Sequence, residues 1–288
     1  MSVMHPSPAY GSFSEMCLEA TLAVCNLFPP TIQPTCLLEK TGTVSNLANI
    51  LLSCVAVSIL GLVLIRMSRK LAAVGRKEMM ALFTGIAIHL GLQLVTTSNL
   101  LGRDSIHLVR ISSIQLSLTF ALFYALLFNA LVGFQFWRDG SRLSMTLLLG
   151  GMLALTTGLG AFNVNRAETY LMSASSKSPS TLNDPALYTL YVLWPILASA
   201  CFLASQFFLV LRSLSARMPL VYLTLSAVFL SIGSSVHLLG SGSLCRSSNR
   251  VIDGAVFDTV FLLFAAIALF KFWSDITEDD WDDFRISA

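Results

Sequence analysis

Acids, imidazoles and thiols are the side chains that could carry chemistry in this 288-residue chain, and they are sparse. Asp253 and Asp258 stand five apart at the start of a long apolar run, and His89 and His237 lie within two other such runs. A charge at membrane depth is costly and asks for a reason. Both acids read as the opening turns of a helix, where the dipole favours them, salt-bridged to Arg246, Arg250 or Arg110. A proton relay would need more ionisable groups deeper in the membrane. His89 and His237, with Gln93, Gln115, Asn129 and Gln206, read as polar fasteners between helices. Zinc hydrolysis would require HExxH, phosphate binding a P-loop and acyl transfer a GxSxG elbow, and the chain has none of these. The GxG strings at Gly158 and Gly240 lack the strand–turn–helix setting of a dinucleotide site. We expect no enzyme, no cofactor and no metal site, since the only histidine near the N-terminal cysteines is His5.

The elements that position these residues follow from composition. Hydrophobic residues make up 55% of the chain and charged ones 12%, and the mean hydropathy is +0.74; ordinary soluble domains have about 25% charged residues. Hydrocarbon offers no partner to a free backbone group, so such a chain must span as helices or as a closed barrel. The apolar runs are too long, and too little alternating, for barrel strands. The expected fold class is all-α, a seven-transmembrane helix bundle. Seven windows fit: Val44 to Ile65, Met79 to Leu100, Ile111 to Gln135, Leu143 to Phe162, Ala186 to Leu211, Leu220 to Leu239 and Val251 to Phe272. The stretch from Asn163 to Pro185 reads as the one long loop, and no internal repeat suggests the duplicated halves of a transporter. A net charge of +2 without a basic arm argues against nucleic acid. No cleaved signal peptide is expected, so insertion would rely on the first span.

Orientation follows from basic residues beside the spans, which are retained in the cytosol. One side collects Arg66, Arg69, Lys70, Arg76, Lys77, Arg138, Arg142, Arg212, Arg217, Lys271 and Arg285, and seven of the 18 Lys and Arg fall on the other. The N-terminus is therefore expected in the lumen or outside, and the C-terminus in the cytosol. Cys17, Cys25, Cys36 and Cys245 all fall on the lumenal side, where an oxidising compartment favours two disulfides in any of three connectivities. Cys54 and Cys201 read as small buried residues within spans. Three parts result: a stapled lumenal cap over residues 1–43, the membrane domain over 44–272, and an acidic cytosolic tail over 273–288.

The cytosolic rim holds the least generic residues. Gly75-Arg76-Lys77-Glu78 separates the first two spans, with Gly75 suited to end one helix and Glu78 to cap the next. Trp137-Arg138-Asp139-Gly140 follows the third span, and the seventh exits through Phe272-Trp273-Ser274-Asp275-Ile276-Thr277-Glu278-Asp279-Asp280-Trp281. With Phe13, with Cys17 and Cys25 separated by seven intervening residues, and with Ile252-Asp253-Gly254, these strings resemble the fungal chitin synthase export chaperone family over nearly the whole chain.

That resemblance implies a non-catalytic chaperone of the endoplasmic-reticulum membrane whose client is chitin synthase. It would bind newly made synthase and permit its exit. Asp275 to Asp283 carries six carboxylates in nine residues, a charge that basic partners, the client or vesicle-coat adaptors, could read. The expected contact residues are Trp273, Ile276, Thr277, Glu278, Asp279, Asp280 and Trp281, with Gly75, Arg76, Glu78, Trp137, Asp139, Gly140, Asp253 and Gly254 as structural motif. The competing reading is a seven-span small-molecule receptor or transporter with a polar cavity near His89, Gln93 and His237. Receptor and retinal signatures are absent, and the one late lysine, Lys271, sits at the membrane edge.

Overall fold

A computed structural model describes residues 10–28, 34–36, 38–41, 44–70, 73–102, 105–135, 138–174, 183–213 and 218–277. A short helix α1 (Ser14–Glu19), a 3-10 turn (Ala23–Leu27) and a small antiparallel pair, β1 (Lys40–Thr41) with β2 (Val44–Ser45), precede the long helices. These are α2 (Leu47–Arg69), α3 (Arg76–Thr97), α4 (Ile106–Gly133), α5 (Arg142–Ala174), the short α6 (Pro185–Tyr188) running on into α7 (Trp194–Ser213), α8 (Met218–Ser247) and α9 (Gly254–Ile276). Counting α6 and α7 as one unit, seven helices are long and apolar enough to cross a membrane. Pro195 cannot donate to the carbonyl four residues back, and the helix widens into a π turn over Thr189–Leu193 just before it.

Burial sorts the helices. Half of the apolar window of α9 and 44% of that of α4 are buried, against 11% for α5 and 17% for α8, so α4 and α9 are the inner helices. α8 lies along α9, α2 and α3 close one side, and α5 and α7 flank α4. The main core runs through Leu60, Met67, Phe83, Leu90, Leu223 and Trp273. Asn49, fully buried, fixes three helices together: it donates to Thr97 at 3.0 Å and accepts from Thr259 at 2.8 Å. Gly233 and Gly254 let α8 and α9 touch, because a Cβ at either would meet the other helix at 2.8 Å.

A second core seals one end. Phe13, Cys17, Leu27 and Phe28 pack on Val109 of α4, Ala167 of α5 and Leu187 of α6, with Phe28 edge-on to Tyr170 at 4.8 Å. Of the three possible connectivities, the cysteines adopt Cys17–Cys25 and Cys36–Cys245. The first clips the α1 turn; the second fastens the approach to α2 onto the end of α8, 209 residues away.

Three expectations are corrected. Asn163 does not begin a loop, because α5 continues to Ala174. The apolar window stops near Phe162, yet Asn163 is fully buried and bonded to Tyr191 and Ser117, and Ala167 and Tyr170 pack on the N-terminal segment. Tertiary partners thus extend a helix past the point where hydropathy ends. α8 likewise runs on to Ser247, because Gly242 lets Glu19 of α1 lie against it. Cys54 and Cys201 are exposed on the outer faces of their helices rather than buried.

Replacing Cys245 with Ser frees the longer staple. The chain-entropy argument allows up to about 5 kcal/mol for such a loop, and helices already threaded through a bilayer reduce it. We expect limited proteolysis near Lys40 to accelerate several-fold while the long helices stay resistant. Cleavage at the wild-type rate would contradict the staple.

Candidate functional site

At the sealed end, one carboxylate joins three segments. Asp253, 3% exposed, caps α9 by accepting from the Ala255 N–H at 3.1 Å. It also accepts from Asn46 Nδ2 at 3.0 Å, at the entrance to α2, and from Thr21 Oγ1 at 2.9 Å, beside α1. The expected salt bridge to an arginine is replaced by these neutral donors, and Arg246 instead faces Glu19 at 3.8 Å. Gly254 follows because nothing larger fits: its Cβ would stand 2.8 Å from the His237 backbone, and its N–H donates to Ser241 at 3.1 Å.

At the opposite rim, the turns after α2 and α4 and the end of α9 interlock. Gly75 caps α3 with φ 66°, a left-handed conformation that suits glycine, and its N–H donates to Asp139 at 3.0 Å. Glu78 opens α3 but does not spend its carboxylate there. Fully buried, it accepts from the Gly140 N–H at 2.7 Å and from Ser144 Oγ at 2.6 Å, at the start of α5. An acid is favoured at that helix N-terminus too. Lys77 reaches the Gly140 carbonyl at 3.3 Å, and Arg76 reaches the Ser68 carbonyl at 3.1 Å. Trp273, 4% exposed, donates its indole N–H to the Val74 carbonyl at 3.0 Å, and Lys70 donates to Ser274 at 2.6 Å.

The structure therefore gathers Gly75, Arg76, Glu78, Asp139, Gly140 and Trp273 into one rim, while Asp253 and Gly254 belong to the far end. Trp137, Glu278, Asp279, Asp280 and Trp281 lie outside the described residues. Ile276 and Thr277 are half-buried and, with Gly75 and Trp273, line a cavity of about 210 Å³ between α3, α4, α7 and α9. Asn129 and Gln206 also face it. Neither is the interhelical fastener expected: Asn129 bonds its own helix at the Ala125 carbonyl, and the described residues give the buried Gln206 side chain no hydrogen bond. The other polar residues do tie helices. Gln115 accepts from Thr96 at 2.7 Å, His89 meets Thr119 at 3.2 Å, and Asp258 receives Gln93 and His237, each at 3.4 Å. The anchors Thr21, Asn46 and Asn49 were missed; the signal available for Asn49 was a carboxamide inside an apolar window. Among the described residues, no three His, Cys, Asp or Glu side chains gather as a metal site.

Seven long apolar helices closed by a stapled cap at one end and an interlocked rim at the other define the class as a polytopic helical membrane protein. The model of the chitin synthase export chaperone family matches residues 9–287, and the chain belongs to that family. Similar relatives are the chitin synthase export chaperones of Cryptococcus neoformans, 29% identical over 94% of this chain and 75% of the relative, and of Phaeosphaeria nodorum, 28% identical over 94% and 83%. That of Coccidioides immitis is 27% identical over 94% and 84%. No solved structure matches the chain. A chaperone's role is non-catalytic, so the buried acids are read as structure first.

Glu78→Ala leaves the Gly140 N–H and the Ser144 hydroxyl unpaired in a buried site and is expected to lower stability by about 2–3 kcal/mol, whereas Glu78→Gln keeps an acceptor and costs about 1 kcal/mol. Thermal unfolding in detergent reads the difference. Equal midpoints for the two variants would contradict the rim bonds.

Proposed function

We propose that this protein binds newly made chitin synthase in the endoplasmic-reticulum membrane and enables its folding and export, supporting chitin and cell-wall synthesis. Membership of the chaperone family over residues 9–287, tail included, is the observation that carries the reading. On it the three parts take roles: residues 1–43 form a lumenal cap, 44–272 the membrane body and 273–288 a cytosolic tail. The excess of Lys and Arg at the rim supports that direction, as do two disulfides at the sealed end, where an oxidising lumen would maintain them.

The client is itself a membrane protein on this reading, and its unassembled spans carry polar groups that lipid cannot satisfy. The outer helices supply a surface for them. Leu147 and Leu153 of α5, Ile196 and Phe208 of α7 and Val221 and Val228 of α8 all point outward. The tail contributes the charged contact through Glu278, Asp279, Asp280 and Trp281, beside Ile276 and Thr277. Trp273 has its indole inside the rim, so its part is to aim the tail and not to touch the client. Basic segments of the synthase or of vesicle-coat adaptors are the complementary partners.

Replacing Glu278, Asp279, Asp280 and Trp281 together with alanine should leave protein level unchanged and reduce chitin synthase at the cell surface several-fold. Normal surface delivery would defeat the tail assignment. Trp273→Ala should instead lower the amount of folded protein, which separates anchoring from contact.

A further inference from the structure

A second cavity of about 210 Å³ lies deeper in the bundle between α3, α4, α7, α8 and α9, meeting the rim cavity at Phe202 and Leu269. Along α9 it runs from Asp258 to Leu269, eleven residues or about 16 Å of helix. Its walls differ along that length. Leu262, Leu269, Leu82, Phe202 and Leu223 make one end apolar, while His89, Thr119 and Asp258 make the other polar. α7 and α8 meet only loosely, and their facing residues Ser199, Ala227 and Leu230 are partly exposed, so the slot opens sideways toward the bilayer.

The polar end has acceptors to spare. Asp258 Oδ2 takes Gln93 and His237, but its Oδ1 receives no hydrogen bond from the described residues. Thr119 gives its hydroxyl proton to the Gln115 carbonyl at 2.9 Å, so His89 Nδ1 carries the proton of the 3.2 Å contact with Thr119. His89 Nε2 is left with a lone pair and no partner among the described residues. Two unfilled acceptors at the head of an apolar slot ask for a donor on an apolar body. His237 already faces Asp258 Oδ2 at 3.4 Å, so the head asks for one further neutral donor, and a carboxylate would meet only acceptors there. The cavity is elongated along α9 and its lining there is aliphatic, a shape that suits an extended alkyl chain.

We propose that this slot binds a single-chain membrane lipid with an uncharged hydroxyl head, the hydroxyl donating to Asp258 or His89 and the chain lying against Leu262 and Leu269. Such a lipid would occupy the bundle whether or not a client is bound.

The test uses the full-length protein in lipid nanodiscs, photolabelled with a hexadecanol that carries a diazirine on its chain. Saturable labelling of the α7 and α8 faces is expected, displaced by hexadecanol about tenfold better than by palmitate, hexadecylamine or a sterol, a ratio equal to about one hydrogen bond. His89→Phe removes one of the two acceptors and should weaken competition by hexadecanol several-fold while the preference over palmitate, set by Asp258, remains. Ala227→Trp, placed at the mouth and not in the polar network, should abolish labelling with the unfolding temperature unchanged. Labelling that does not saturate, or persists in Ala227→Trp, would overturn the site. Equal or better competition by the acid, the amine or the sterol would overturn the assigned ligand.

Discussion

Asp253 holds a carboxylate almost out of reach of water, and a charge so placed persists only if donors surround it. Thr21, Asn46 and the Ala255 N–H are those donors, drawn from the N-terminal segment, the entrance to α2 and the start of α9. Much else follows from their meeting. α9 is drawn to the inside of the bundle, Gly254 must pass the His237 backbone without a side chain, and α1 comes to lie on Gly242 of α8. Asn49 repeats the logic one turn into α2, joining it to α3 and α9. The Cys36–Cys245 bridge then makes the arrangement covalent.

The two ends of the bundle solve different problems. The sealed end uses an aromatic core, disulfides and a buried acid to close over the helices. The rim uses reciprocal turn bonds, Gly75 to Asp139 and Gly140 to Glu78, so that the two turns and the exit of α9 hold one another in place. A chain leaving α9 at Thr277 therefore departs from a fixed point beside a cavity lined by Asn129 and Gln206. The exposed outer faces of α5, α7 and α8 stand apart from the α4–α9 interior.

The seven crossings were legible because hydrocarbon thickness sets a length that apolar windows report directly. Their ends were not. Asn163 and Gly242 lie in polar stretches that stay helical only because the N-terminal segment packs on them, a contact 130 residues or more distant in sequence. The rim motif was visible as residues, but Glu78 was expected to serve its own helix and instead holds the start of α5. A local capping rule cannot foresee a partner that arrives from another turn. Asp258 was likewise assigned an arginine and found His237, since the facing register of α8 and α9 depends on two glycine contacts. The acidic tail was legible as composition alone, and its residues from Glu278 onward lie outside the described structure.

This membrane body serves the export of chitin synthase and performs no reaction of its own. Removing the protein from the cell and following chitin synthase by microscopy and membrane fractionation tests it most directly. Synthase is expected to stay trapped in the endoplasmic reticulum at near-normal synthesis rates, with cell-wall chitin reduced. Synthase that reaches the cell surface as usual in its absence would contradict it.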